Sequence, residues 1–267
     1  MPYPLNTPLG RFGIETTEDH VDRCAATIPV AGLTNPLTGV ATVAPLAMLV
    51  DHVGGLANHL RRGDDQWTVS SELALELAPD ALDAVQRTPQ HPVVGVARPL
   101  GGKGGVAVAQ CELSAAGQPI ATATVRSFYI AAPAGLTAWP EDTGGCLPGP
   151  DLASLMNVQA GETGGAAAVL MQGNDDVLNN IIGIVHGGVS AMGLELVGSA
   201  TLNTQRREQH FRTASLRVNY LRPFHGGAEA HYQATSLHVG RSSGVAEARA
   251  VGHDGTTALV ARLTAYR

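Results

Sequence analysis

Aromatic residues and cysteines are scarce in this sequence. Only 4% of the 267 residues are aromatic while 44% are hydrophobic, so the core must be built mainly from Val, Leu, Ile and Ala. Three cysteines, Cys24, Cys111 and Cys146, lie far apart and without metal-ligand spacing. This argues against a disulfide framework or a zinc site and fits reduced thiols. No ligand set for a metal or redox cofactor is visible, and we expect none.

Long apolar runs and an excess of basic charge are also lacking. No run of about 18 apolar residues occurs, and residues 1–20 lack a basic segment followed by an apolar one. The sequence therefore predicts neither a membrane span nor a signal peptide, and we expect the protein in the cytoplasm. The net charge of -6 provides no basic surface for a polyphosphate, which argues against nucleic acid as a partner.

An internal repeat favours two domains over one large domain. Residues 35–55, NPLTGVATVAPLAMLVDHVGG, align without a gap with residues 179–199, NNIIGIVHGGVSAMGLELVGS. This alignment pairs Asn35 with Asn179, Gly39 with Gly183, Thr42 with His186, and Asp51 with Glu195.

Both halves also show the same order of predicted elements. A strand precedes a helix, at residues 44–61 and 188–204, and strands with period-two alternation follow. Because these helices are apolar on nearly all faces, each must be covered all round, for which a curved antiparallel sheet is suited. Residues 132–150 are rich in Gly and Pro and are typical of a linker. We predict an α+β protein with domains at residues 1–131 and 151–267.

His186 raises the question of which acid could be its partner. Glu195 lies nine residues later, about 13 Å along the helix and rotated toward its opposite side, so the two cannot share a site within one unit. Two units related by a pseudo-twofold axis would instead bring His186 to Asp51, and Thr42 to Glu195. Only the first combination unites an imidazole, glycine amides and a carboxylate.

The chemistry of this first combination suits acyl transfer to water. Gly187 and Gly188 lie at a predicted helix N-terminus, where free N–H groups and the helix dipole can stabilise a developing oxyanion. A carboxylate such as Asp51 can activate water or attack a carbonyl directly. A purely structural reading remains open, in which His52 is the partner of Asp51 and Glu195 is a buried acid held by hydrogen bonds.

The pattern Asn180-x-x-Gly183-x-x-His186-Gly187-Gly188, with an acid nine residues after the histidine, resembles the hotdog-fold acyl-CoA thioesterases of the PaaI-like branch. The later segments NYLRP and VGRSSGVAEARAVGHDG resemble them as well, and the tandem arrangement is similar to double-hotdog thioesterases. The resemblance implies that Asn180 and His186 place a CoA thioester, that the Gly187 amide polarises its carbonyl, and that Asp51 is nucleophile or general base. It also implies a hydroxyl residue at Ser70 or Thr68, of which we favour Ser70, and a homodimer of double-hotdog chains.

The first half departs from this pattern. Thr42 stands in the place of the histidine, and Pro45 supplies no N–H, so the second combination, Thr42 with Glu195, reads as a degenerate site. Arg241 follows a strand and either meets a CoA phosphate or caps a turn. The segment PLGGKGGV, residues 99–106, lacks phosphate-loop spacing and predicts a hairpin turn.

Two other functions compete with thioester hydrolysis. Some double-hotdog proteins are (R)-specific enoyl-CoA hydratases, and NPLTG resembles part of their Asp-x-Asn-Pro-x-His element, although its aspartate and histidine are missing around Asn35. A non-catalytic acyl-CoA binding protein is the other alternative, against which the retained site residues argue.

Overall fold

The computed structural model describes residues 3–133, 149–162, 168–204 and 210–267. The first half contains α1 (Pro8–Arg11), β1 (Glu15–His20), β2 (Arg23–Ile28), α2 (Pro45–His59), β3 (Gln66–Leu77), α3 (Ala81–Arg87), β4 (Val93–Leu100), β5 (Val106–Ala115) and β6 (Gln118–Ala131). The second half contains α4 (Leu152–Met156), β7 (Val158–Ala160), β8 (Ala168–Gln172), α5 (Gly187–Asn203), β9 (Arg212–Tyr220), β10 (His231–Val239), β11 (Ser243–Val251) and β12 (Thr257–Tyr266).

All the strands form one antiparallel sheet with the order β1-β2-β4-β5-β6-β3-β9-β12-β11-β10-β8-β7. The two halves of this order correspond strand by strand, and they meet where β3 pairs with β9. A pseudo-twofold axis therefore passes between these two strands. It relates α2 to α5, which pack against each other, each helix also contacting the strands of its own half.

Close packing of α2 and α5 depends on glycine at particular positions. A Cβ on Gly188 of α5 would lie 2.8 Å from the Cα of Met48 in α2, so the two backbones could not approach this closely with a side chain there. Gly54 of α2 packs against the sheet, because a Cβ there would overlap the Val125 side chain of β6. A Cβ on Gly55, the next residue, would meet nothing within 4 Å. Close packing therefore requires glycine at position 54 and not at position 55.

The predicted α+β fold of two hotdog units is confirmed, with both central helices within two residues of their expected bounds. Residues 99–106 do join two strands, β4 and β5, as a hairpin turn. The predictions omitted the short elements α1, β1, α3, α4 and β7, which lack a long periodic pattern. Most of the predicted linker, residues 134–148, lies outside the described residues, so the domain boundaries stay a prediction.

Hydrogen bonds correct the alignment of the two repeats at its start. Asn35 N–H donates to the Val40 carbonyl, and Asn180 N–H donates to the Ile184 carbonyl, so these two asparagines hold the same place in their loops. Asn35 therefore corresponds to Asn180 and not to Asn179. The loop of the first half is one residue longer, a difference that the gap-free alignment could not detect.

Candidate active site

Asp51 provides the carboxylate of the first site, from the middle of α2. Its side chain is buried, and its Oδ1 accepts a hydrogen bond of 2.8 Å from the Ser70 hydroxyl of β3. A Cβ on Gly187 would lie 2.8 Å from Asp51 Oδ2, which shows how closely the carboxylate approaches the start of α5. The positive end of the α5 dipole thus stabilises negative charge on Asp51.

His186 caps the N-terminus of α5. Its Nδ1 accepts a hydrogen bond of 3.1 Å from the Gly188 N–H, and the Ser190 N–H donates to its carbonyl. Because Nδ1 is an acceptor, the proton of the neutral ring is on Nε2. Burial lowers the pKa of His186, and the charge of Asp51, whose Oδ2 lies 3.5 Å from Nδ1, opposes that shift only in part. The imidazole therefore stays neutral near pH 7.

The glycine pair of the sequence motif divides into two roles. The Gly188 N–H is already bound to His186 and the residue packs against Met48, so Gly188 has no free amide for a ligand. Within the described part of the chain, the Gly187 N–H has no hydrogen-bond acceptor. The structure thus leaves the amide of Gly187, and not that of Gly188, free to bind an oxyanion.

Asn180 shapes the loop that leads to His186. Its Oδ1 accepts hydrogen bonds from the N–H groups of Ile182 and Ile184, so only its amide nitrogen remains for a ligand. The start of this segment is tied to the first unit by an ion pair between Arg11 of α1 and Asp175. The expected placing role of Asn180 therefore requires that it act as a donor.

The structure brings Ser70, and not Thr68, to Asp51. The Thr68 hydroxyl lies 2.6 Å from Nδ1 of His59, at the C-terminal end of α2. His52, the alternative partner of Asp51, instead places its Nε2 2.8 Å from the Thr16 hydroxyl. Burial, assisted by the charge of His186, lowers the pKa of His52 to about 3, so this ring is a neutral core residue.

The pseudo-symmetric counterpart of this site contains Thr42 and Glu195, as the repeat predicted. The Thr42 hydroxyl donates to Glu195 Oε2 at 3.1 Å, and the Thr213 hydroxyl donates to Oε1 at 2.6 Å. Burial raises the pKa of Glu195, and these hydroxyls partly offset that effect. Both carboxylate oxygens are thus bonded by protein hydroxyls, and Thr42 stands where the first site has its imidazole. This supports the reading of Glu195 as a buried acid held by hydrogen bonds.

Arg241 lies far from Asp51. It is exposed in the turn between β10 and β11, at the end of the sheet where Ala265 pairs with Thr213. Tyr220, beside Gly187, lies seven steps along β9 from Thr213, or about 23 Å at 3.3 Å per residue. The structure therefore does not bring Arg241 to the first site.

Tyr220 is a site residue that the sequence reasoning quoted in NYLRP but did not single out. Its hydroxyl donates to the Gly187 carbonyl at 3.2 Å, and its ring lies against the position a Gly187 Cβ would take. Burial, together with the charge of Asp51, raises the pKa of Tyr220 well above its usual value. Only its place at the end of β9, beside β3, could have indicated this role.

Other features of the described residues contribute no further chemistry to the site. No group of three His, Cys, Asp or Glu side chains there could hold a metal ion, and none of the described helices is long and apolar enough to span a membrane. Burial raises the pKa of Cys24 to about 11 and that of Cys111 to about 12, so both thiols stay protonated. Cys146 lies outside the described residues.

A surface cavity of about 280 Å³ contains none of the residues around Asp51. Its lining comes from the second unit, around β7, β8 and the turns beside them, and includes Asn157, Gln172 and Gly227. This cavity thus lies apart from the groups that could do chemistry.

Comparison with known proteins gives one family match and several similar structures. Residues 182–259 match the thioesterase superfamily. The tesB protein of Mycobacterium avium subspecies paratuberculosis has a similar structure at a TM-score of 0.65 and 10% identity, covering 99% of both chains. The acyl-CoA thioesterase II TesB2 of Mycobacterium marinum is also similar, with a TM-score of 0.58 and 12% sequence identity. The match covers 96% of this chain and 94% of that one. None of the curated proteins matches the sequence at a significant level.

A hot-dog-fold protein of unknown function from Alicyclobacillus acidocaldarius is also similar, with a TM-score of 0.58 and 13% identity over 94% of this chain and 95% of that one. These similarities extend over nearly the whole chain, so the protein has the double-hotdog fold. The family match is confined to part of the second unit, the part that contains His186, Gly187 and Tyr220.

Proposed function

We propose that this protein hydrolyses acyl-CoA thioesters to a free acid and CoA, at one site between its two units. The observation that carries the proposal is the convergence of Asp51 from one unit with His186 and Gly187 from the other. The match of residues 182–259 to the thioesterase superfamily supports the reaction class. Its assignment to the PaaI-like branch stays a prediction.

In this mechanism, the Gly187 N–H donates to the thioester oxygen and stabilises the oxyanion of the tetrahedral intermediate. The Nε2–H of His186 and the amide nitrogen of Asn180 hold the thioester in place. Asp51, oriented by Ser70, either removes a proton from the attacking water or attacks the carbonyl itself. Collapse of the intermediate releases the CoA thiolate, which takes up a proton. When Asp51 is the nucleophile, this step leaves a mixed anhydride between the acyl group and Asp51, and water then hydrolyses the anhydride to the free acid and restores the carboxylate.

Measuring thiol release from a panel of short, long and aromatic acyl-CoAs tests the proposed site directly. We expect Asp51→Asn to lower kcat about 10²- to 10⁴-fold, the usual contribution of a general base. Glu195→Gln is the matched control, since this acid holds the equivalent place in the other site with both oxygens already bonded. We expect it to keep most of the activity.

Each other outcome has a clear meaning. Loss of turnover in Glu195→Gln alone would transfer the active site to the Thr42 side. Hydration of an enoyl-CoA without thiol release would favour the hydratase alternative. Binding of acyl-CoA with no turnover of either kind would favour the non-catalytic alternative.

We propose further that two chains associate as a homodimer, as expected from the resemblance. Large apolar side chains are exposed at equivalent places of the two units, with Phe128 at 47% and Tyr266 at 53% exposure. Exposed apolar surface of this kind is common at protein interfaces. Light scattering after gel filtration would give twice the 27.5 kDa chain mass for a dimer. Location in the cytoplasm likewise stays a prediction.

A further inference from the structure

Tyr220 reaches the active site through the backbone of the glycine pair. Its hydroxyl donates to the Gly187 carbonyl at 3.2 Å, and the N–H of the same peptide group, that of Gly188, donates to His186 Nδ1 at 3.1 Å. One peptide group therefore links the phenol to the imidazole. In such a chain, each hydrogen bond polarises and strengthens the next.

The place of Tyr220 in the sheet explains why it can make this contact. Strand β9 has a bulge after Thr213, and β3 has the equivalent bulge after Ser70. Tyr220 follows Thr213 by seven residues, as Leu77 follows Ser70. Leu77 is thus the counterpart of Tyr220 in the first unit and has no hydroxyl. The linked chain of hydrogen bonds exists only at the site that also has the imidazole.

This chain determines which ring nitrogen of His186 faces a ligand as a donor. An acceptor at Nδ1 requires the proton on Nε2, whereas the other tautomer would set an N–H against the Gly188 N–H. Asp51 does not stabilise the Nε2–H tautomer, because its Oδ2 lies 3.5 Å from Nδ1 and a carboxylate there favours a proton on Nδ1. The Gly188 N–H must therefore compete with Asp51 for Nδ1.

We propose that Tyr220 is a positioning residue that holds His186 in its Nε2–H tautomer through the Gly187–Gly188 peptide. The neutral imidazole then presents a donor toward the thioester oxygen and no acceptor. This inference rests on the proposed function for its catalytic consequence only, since the tautomer is a property of the protein without substrate.

The test is Tyr220→Phe, which keeps the ring and removes the donor. In protein labelled with nitrogen-15 histidine, NMR reports the tautomer of His186, whose signal is identified by its loss in His186→Gln. We expect the ratio of Nε2–H to Nδ1–H to fall by at most about five- to ten-fold, the value of the whole Gly188–His186 hydrogen bond that Tyr220 supports. We expect kcat for thioester hydrolysis to fall in proportion to the remaining fraction of the Nε2–H tautomer, with KM within about two-fold.

Tyr129→Phe is the matched control, since Tyr129 also donates to a helix carbonyl, that of Asn58, at 2.8 Å but at the far end of α2. It should change neither the His186 signal nor kcat. An unchanged tautomer in Tyr220→Phe would overturn the proposal even if kcat fell, because the loss would then have another origin. If the wild type releases no thiol, the NMR result still decides the tautomer while the proposed function fails separately.

Discussion

Gly54 and Gly55 are neighbours in α2, the helix that carries Asp51, and replacing each by alanine should change stability in opposite directions. Both changes gain the helix propensity of alanine, about 1 kcal/mol. A Cβ at Gly55 would meet nothing within 4 Å, so Gly55→Ala keeps this gain. A Cβ at Gly54 would lie 2.5 Å from Val125 Cγ2 and 2.8 Å from Val125 Cβ.

The approach to Val125 Cβ decides how much stability Gly54→Ala loses. Val125 is fully buried in β6, and its Cβ is fixed to the strand backbone, so a rotamer change cannot relieve the overlap. Overpacking of this kind costs typically about 1–3 kcal/mol, and a displaced backbone lies at the upper end. We expect Gly54→Ala to lower the free energy of unfolding by about 2 kcal/mol and Gly55→Ala to raise it by about 1 kcal/mol.

Urea denaturation followed by circular dichroism measures both values. For a chain of this size, 1 kcal/mol corresponds to about 2–4 °C in Tm, so thermal melts should separate the two variants clearly. Equal stability of Gly54→Ala and Gly55→Ala would refute the packing argument, because helix propensity is the same at both positions.

Three further predictions concern Gly187 of the first site, the core histidine His52, and Thr213 beside Glu195. Gly187→Ala would place its Cβ 2.8 Å from Asp51 Oδ2, and we expect kcat/KM for thioester hydrolysis to fall about 100-fold; wild-type turnover would contradict the assigned geometry. Burial lowers the pKa of His52 to about 3, so the unfolded chain binds more protons below pH 6.5 and stability should fall on acidification, by about 1.4 kcal/mol per pH unit from this group. Urea denaturation at pH 7 and 5 should show a smaller loss for His52→Gln, and an identical loss would exclude this cause. Thr213→Val removes a donor to buried Glu195 and should cost about 1–3 kcal/mol, whereas Thr213→Ser, which keeps the hydroxyl, should not.

The candidate site could be predicted as far as the repeat extended. Thr42 and His186, and likewise Asp51 and Glu195, occupy equivalent places in the two halves. The Thr42 hydroxyl accepts from the Ala44 N–H as His186 Nδ1 accepts from the Gly188 N–H, and each lies beside the acid of the other unit. The same alignment mismatched Asn35, since a one-residue difference in loop length leaves no trace in a gap-free comparison. The sequence left Thr68 and Ser70 as alternatives for the hydroxyl residue, because both lie on the same face of β3, and only the packing of α2 on this strand sets Ser70 against Asp51 and Thr68 against His59.

Arg241 and Tyr220 show what the sequence could not provide. Both lie in segments that resemble the thioesterases, but strand register places the turn of Arg241 beside Thr213 and places Tyr220 beside Gly187. Register depends on pairing across the whole sheet, including the contact of β3 with β9 between the units. Such pairing joins residues far apart in the chain, and period-two patterns alone do not specify it.

The sequence by itself determined the repeated unit, the two buried helices and the identity of the chemical groups, because hydrophobic periodicity and glycine spacing are local properties of the chain. Only the tertiary structure decided which of the two carboxylates, Asp51 or Glu195, has both of its oxygens bonded by hydroxyl groups. Asp51 accepts from one hydroxyl and faces the start of α5, whereas Glu195 has both oxygens bonded by threonines. That difference arises from side chains on strands and loops of both units, and it exists only once the sheet has brought them together.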